Sequence, residues 1–354
     1  MIEQLKSFLK KGEAALIMSE VNTSYFTSFH SSNGYLIVTA DKSFFLTDSR
    51  YIEAAQQEIK TVDEILPLRS MKDDLYNLID SLNVKKLHIE GQRISVGKYN
   101  EIKKSTALRQ KVIADGKLDK AIDDIRIKKN EQEKAKIIKA QRIAERAFDH
   151  ILFFISTEKT EKEIALELDY FMLKNGADAL SFETIAVSGK NSSKPHGVPS
   201  DKKIEKGDFI TMDFGAVVDF YHSDMTRTVA VGEVSSKQIE VYETVLEAQL
   251  EAIKAIRVGE ICKDIDKIAR DIIKDKGYGN CFGHGLGHGL GVEIHEAPSF
   301  NPTCDYVLEA GNIMTVEPGI YLPGEFGVRI EDMGAVTETG FENFTKSEKK
   351  LIVL

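Results

Sequence analysis

The stretch GHGLGHGLGVEIHE, residues 283–296, sets His284, His288 and His295 among alternating glycines. Imidazoles at that density are material for a metal site or for acid–base work. His284 and His288 stand four apart and would share one face of a helix. Against that, Gly283, Gly285, Gly287, Gly289 and Gly291 each cost about 1 kcal/mol in a helix interior relative to alanine, so the run is expected to be extended or looped. His295 and Glu296 are followed by Ala297 and Pro298, which leaves the helical zinc motif H-E-x-x-H incomplete. A metal held here takes the rest of its ligands from elsewhere in the chain.

Carboxylates recur in a pattern that offers them. IEKGDFITMDFG (204–215) and LEAGNIMTVEPG (308–319) match position for position. In each copy a glycine turn feeds an apolar strand ending on an acid, Asp213 in the first and Glu317 in the second. A further acid follows each, Asp224 in DFYHSDMTRT and Glu331 in GVRIEDMG. Taken singly, each reads as an exposed hairpin end. Taken as a duplication, two half-domains bring four acids to a shared interface, where they repel and take up protons unless cations compensate them. Two divalent ions about 3.5–4 Å apart remove that conflict and form a hydrolytic arrangement that activates water near neutral pH. An oxygen-rich shell with one imidazole favours Mn²⁺, and also accepts Co²⁺, Zn²⁺ or Fe²⁺.

The elements that must position these groups are legible in outline. YLIVTA (35–40) and SFFLTD (43–48) read as a hairpin, SMKDDLYNLIDSLN (70–83) as a capped helix, and KKLHIEG (85–91) as a buried strand. No phosphate loop or nucleophile motif accompanies them. The charged run DDIRIKKNEQEKAK (123–136) marks the start of a helix whose stripe would be Ala135, Ile138, Ala144, Ala147 and Ile151. Thr160 with Glu163 forms a capping box before another helix, and 236–255 reads as a third. A small α/β region followed by long helices interleaved with strand pairs predicts an α+β chain.

At 354 residues the chain suits two domains, and 42% hydrophobic with 29% charged residues is ordinary for a globular protein. A formal charge of −9 argues against general nucleic-acid binding. The first twenty residues lack the apolar core and cleavage site of a secretory signal, and no run of about eighteen apolar residues predicts a membrane span. Cys262, Cys281 and Cys304 show no paired spacing, which predicts a reducing cytoplasm. Cys281, three residues before His284, reads as a small buried hydrophobe rather than a ligand.

Taken together, SFETIAVSGKNSSKPHG, DFGAVVDFYHSDMTRT, GHGLGHGLGVEIHE, TVEPG and GVRIEDMG resemble, in order and spacing, the pita-bread metallopeptidases, and within them the Xaa-Pro aminopeptidases and Xaa-Pro dipeptidases (prolidases). NTSYFTSFHSSNGYLIVTADKSFFLTDSRY resembles the family's creatinase-type N-terminal domain. The resemblance covers the whole chain. It implies a creatinase-type domain over 1–120 and a pita-bread catalytic domain with internal pseudo-twofold repeat over 121–354. It implies a metal shell of Asp213, Asp224, His288, Glu317 and Glu331, with Asp224 and Glu331 bridging two ions. His295 corresponds to the histidine that bonds the scissile carbonyl, and Glu317 to a proton shuttle. His284 and His196, the latter in KPHG, correspond to histidines lining the substrate pocket. Arg329 is expected either to orient Glu331 or to contact substrate.

The expected activity is hydrolysis of the bond between an N-terminal residue and a following proline. An aminopeptidase is the first reading, with a dipeptidase restricted to dipeptides as the alternative. Methionine aminopeptidases lack such an N-terminal domain, and creatinases do not keep this shell. A non-catalytic pita-bread binding module, the reading from another class, typically loses ligands that are all present here. By analogy with the family a homodimer is expected.

Overall fold

The expected hairpin forms near the N-terminus, where strand β1 (Glu13–Ile17) pairs with β2 (Gly34–Thr39), and β2 with β3 (Ser43–Thr47), both antiparallel. In the computed structural model, residues 1–105 and 110–354 are described. They divide into two units, Met1–Arg126 and Ile127–Leu354. In the first, β4 (Glu64–Pro67), β5 (Lys86–Ile89) and β6 (Lys111–Ile113) complete a mixed sheet of order β4-β3-β2-β1-β5-β6. Its Ala14, Leu16, Ile37, Leu46 and Leu87 are buried, as near-continuous apolar strands require. Ser70 accepts from the Asp73 backbone N–H as the cap motif predicts, and the helix begins with a wide π turn over Met71–Tyr76. The sequence places the domain boundary at 120, whereas the helix Lys117–Arg126 lies wholly in the first unit. Leu118 and Ile122 of that helix are buried, and Arg126 donates to Asn22 Oδ1 at 2.8 Å.

The second unit begins with α1 (Glu131–Phe154), entered through an Asn130/Glu133 capping box. The helix starts at 131, inside the charged run, because Asn130 supplies the cap. Its buried stripe is Ile137, Ala140, Ala144, Ala147 and Ile151, while Ala135 is exposed and Ile138 only partly buried. The expected stripe was therefore out of phase in its first turns. α2 (Glu161–Lys174) follows the Thr160/Glu163 box. Next come β7 (Ile185–Ser188), β8 (Phe209–Phe214) and β9 (Met225–Ala230), an antiparallel sheet of order β9-β8-β7. α3 (Ser236–Ala255) and α4 (Cys262–Asp275) lead to the second half. There β10 (Gly287–Gly289), β11 (Glu296–Phe300), β12 (Ile313–Val316), the ribbon β13 (Gly319–Leu322) and β14 (Phe326–Arg329), β15 (Asp332–Thr337) and β16 (Gly340–Asn343) follow. The main sheet has order β11-β10-β12-β15-β16.

Each half packs a helix pair on its sheet. Phe148 and Leu168 of α1 and α2 meet Met212 and Phe214; Val245 and Ile265 of α3 and α4 meet Met314 and Val316. The duplication extends to single hydrogen bonds. Gly207 and Gly311 both turn at φ +89°, a left-handed conformation that glycine adopts without a Cβ penalty. Gly207 N–H donates to Val231 O and Val231 N–H returns to Asp208 O; Gly311 N–H donates to Val336 O and Val336 N–H returns to Asn312 O. The turns fix the register of β8 and β12, and register decides which face their terminal acids present.

Candidate metal centre

The four acids sit at the ends of these matched hairpins. Asp213 is the penultimate residue of β8, opposite Thr226 of β9, and Asp224 directly precedes β9. Glu317 follows β12, whose Val316 pairs with Asp332, and Glu331 directly precedes β15. Glu331 N–H donates to Thr226 O at 3.1 Å, and Thr226 Oγ1 donates to Glu331 Oε2 at 2.7 Å. The two halves are thereby joined at their acidic ends.

The glycine run is not helical: it passes through an irregular segment into β10. A Cβ on Gly287 would lie 2.1 Å from Thr315 O, so only glycine lets the run lie against β12. His288 N–H then donates to Thr315 Oγ1 at 3.0 Å, and its Nδ1 is engaged by Gly289 O at 3.0 Å. That leaves Nε2 facing the acids, 3.5 Å from Asp224 Oδ2 and 3.4 Å from Glu317 Oε1.

Ligand-type atoms of Asp224, His288 and Glu331 all lie within 4.8 Å of one another. Asp213 Oδ1, Asp224 Oδ1 and Glu331 Oε1 are buried with no hydrogen-bond partner. Burial, then the neighbouring acids, hold the Asp224 and Glu331 carboxyls well above the usual range. Burial likewise pushes Glu317 up to about 8, against the pull of Arg329. Burial, with His295 alongside, pushes His288 down to about 4, which favours the neutral, metal-ligating imidazole. Clustered acids, a neutral imidazole and stranded carboxylate oxygens are a donor set completed by divalent cations.

Arg329 provides the one nearby positive charge among the described residues lining this site. Its Nη2 donates to Asp213 Oδ2 at 2.6 Å, its Nε to Thr226 Oγ1 at 3.0 Å, and its Nη1 to Tyr321 OH at 2.8 Å and Pro195 O at 3.2 Å. It thus pairs with Asp213 rather than with Glu331, whose Oε2 accepts from the Thr226 hydroxyl. These four bonds to protein hold the guanidinium at the cavity wall. Tyr321 carries the chain onward to His284 Nε2 at 3.0 Å. Nothing in the alternating strand GIYL distinguishes Tyr321 in the sequence from a core aromatic, and Thr315 is hinted at only by its register in the repeat.

A cavity of ≈ 640 Å³ opens over the cluster, and His196, His284 and His295 line it together with Asp213, Asp224, His288, Glu317, Arg329 and Glu331. The structure therefore brings every expected site residue to one pocket. His295 stands edge-on to His288 with ring centroids 4.3 Å apart. Burial pushes His284 down to about 4. Phe182, Val198, Ile294 and Phe300 add apolar wall. Cys281 is not part of the pocket; it packs against the apolar cluster under α3 and α4.

Fold and cluster together define a divalent-metal hydrolase built from two half-domains. Residues 135–338 match the model of metallopeptidase family M24, and residues 3–128 match the creatinase/prolidase N-terminal domain. The chain belongs to metallopeptidase family M24. It is 39% identical to a Xaa-Pro dipeptidase of Pyrococcus furiosus over 99% of both chains. A solved Xaa-Pro dipeptidase from Bacillus anthracis is 41% identical, superposes with a TM-score of 0.95, and covers 100% of this chain and 99% of its own. An X-Pro aminopeptidase from Thermotoga maritima is 38% identical, with a TM-score of 0.92 over 99% of this chain and 100% of its own.

Proposed function

We propose that the chain is a metallo-exopeptidase that cleaves the bond between an N-terminal residue and a following proline, with two divalent ions held by Asp213, Asp224, His288, Glu317 and Glu331. The observation that carries this reading is the convergence of Asp224, His288 and Glu331 within 4.8 Å, beside carboxylate oxygens buried without partners. Mn²⁺ suits the oxygen-rich donor set, with Co²⁺, Zn²⁺ or Fe²⁺ as substitutes. When bound, the metal pair supplies Lewis acidity toward the scissile carbonyl and a nucleophilic water at neutral pH.

The chain's own groups do the rest. His295, lining the cavity beside His288, donates to the carbonyl oxygen as it gains charge, a contribution commonly worth about 3 kcal/mol. Glu317 carries a proton from the attacking water to the leaving imino nitrogen. His284, oriented by Tyr321, and His196 bind the substrate on its proline side, with Val198 and Phe300 as apolar wall. The acidic cluster attracts the free α-amino group, which accounts for action from the N-terminal end.

The aminopeptidase and dipeptidase forms share this chemistry. The names of the Pyrococcus and Bacillus relatives favour the dipeptidase, and that of the Thermotoga relative the aminopeptidase. Protein reconstituted with Mn²⁺ and offered Gly-Pro beside Gly-Pro-Ala, with glycine release as readout, separates them: cleavage of Gly-Pro-Ala identifies an aminopeptidase, and of Gly-Pro alone a dipeptidase. Failure to cleave either with Mn²⁺, Co²⁺, Zn²⁺ or Fe²⁺ rejects the enzyme reading. None of the described helices is long and apolar enough to cross a membrane; a cytoplasmic homodimer completes the proposal, with sedimentation velocity as its check.

A further inference from the structure

Glu161 lies outside the cavity wall, in the first turn of α2, and is fully buried. Among the described residues no lysine or arginine pairs with it. Its Oε1 accepts from Ser188 N–H at 2.7 Å, Ser188 Oγ at 3.0 Å and Asn191 Nδ2 at 3.0 Å. Its Oε2 accepts from Ser200 N–H at 3.0 Å, Ser200 Oγ at 2.6 Å and Asn191 Nδ2 at 3.1 Å. A buried charge is tolerated only when so satisfied, and here the helix N-terminus adds its dipole. Lys202 reaches the group only at one remove, through Ser188 Oγ at 3.1 Å.

Those donors come from the two ends and one inner turn of a single segment, 188–200. One carboxylate therefore closes that segment into a strap. The strap's far side faces the cavity through His196, Gly197 and Val198, and its Pro195 carbonyl accepts from Arg329. Gly327 N–H of β14 donates to its Ser192 Oγ at 2.9 Å. The strap is thus held at its base by the Glu161 carboxylate, together with the pairing of Ser188 to Ile210 and the Lys162 N–H bond to Ser200 O, and along its length by the ribbon that carries Arg329.

We propose that Glu161 is a positioning residue for substrate binding: by stapling both ends of the strap it fixes where His196 and the adjoining apolar wall stand. The inference rests on the exopeptidase reading for its kinetic readout only. Glu161→Gln keeps the shape but turns an NH₂ toward serine and asparagine donors, and Asn191→Ala removes one donor without touching the buried acid. KM is expected to rise about tenfold in Glu161→Gln and several-fold in Asn191→Ala, the cost of one or a few unmet hydrogen bonds. kcat and bound metal are expected to stay within about twofold of wild type, the signature of lost uniform binding. Amide hydrogen exchange is expected to quicken across 188–200 and at the Lys162 and Gly327 amides that donate to it, and to stay unchanged in the rest of the unit.

Unchanged KM in both variants of an active enzyme overturns the proposal, as does a loss of kcat and metal that leaves KM alone. If Glu161→Gln does not fold, Asn191→Ala decides by the same criteria. A wild-type protein that cleaves neither peptide rejects the proposed function instead, and exchange across the strap then decides the inference alone.

Discussion

Asp224 has one carboxylate oxygen 3.5 Å from His288 Nε2 and the other buried without a partner, so its removal leaves a gap that no neighbouring side chain fills. Asp224→Ala is expected to lose at least one bound metal ion and all measurable activity; full activity with full metal content by atomic absorption contradicts the assignment. Arg329 acts through another group, since it clamps Asp213 while also bonding Thr226 and Tyr321. Arg329→Lys keeps the charge and loses the planar fork. Groups that orient ligands commonly cost 10–100-fold when replaced, so kcat/KM is expected to fall by about that factor with the protein still folded by circular dichroism. Undiminished kcat/KM would show the clamp to be dispensable. The acids stood out through the repeat and the histidines through the family resemblance, and all of them line one pocket. Tyr321 and Glu161 did not stand out: one reads as a strand aromatic and the other as a surface acid in a helix's first turn, and only tertiary contacts reveal their partners.

At the scale of elements, local rules with few alternatives were readable. The Thr160/Glu163 box, the Ser70 cap and the duplicated glycine turns depend on residues within a few positions of one another. The phase of α1 was not readable at its start, because Ala135 and Ile137 are both apolar and only the sheet beneath decides which is covered. Gly311 carries the sharper test. It holds φ +89° and a Cβ there would lie 3.1 Å from Lys129 O, so Gly311→Ala combines left-handed strain of about 1–2 kcal/mol with crowding. A lower urea midpoint is expected, and an unchanged one would show that the turn relaxes at no cost. The equivalent change at Gly207, whose nearest atom is 3.7 Å away, is expected to cost less, because only the strain operates.

For the whole catalytic unit, the metal-free protein carries acids that folding forces to keep protons and histidines that it forces to shed them. Burial holds Glu317 near 8 from an ordinary 4.5, so the folded state binds the extra proton and loses stability as pH rises toward that value. His284 and His288 lie near 4 from an ordinary 6.5, so their contribution rises with pH and is complete above about 6.5. Of these three groups, only Glu317 still changes stability between about pH 6.5 and 8. The melting temperature of chelator-treated protein is therefore expected to fall over that window, and added Mn²⁺ to raise it more at pH 8 than at pH 6.5. A melting temperature that climbs across the window is incompatible with clustered buried acids. The joint between the hairpins, where Glu331 N–H meets Thr226 O, has one more consequence. Asp213 and Asp224 lie before the connection between α3 and α4, while His288, Glu317 and Glu331 lie after it. A chain severed within 256–261 yields two fragments that each own a remnant of the cluster and no reactive centre, so hydrolysis returns only when the fragments reassociate. Activity is then a direct reporter of complementation between the two matched halves.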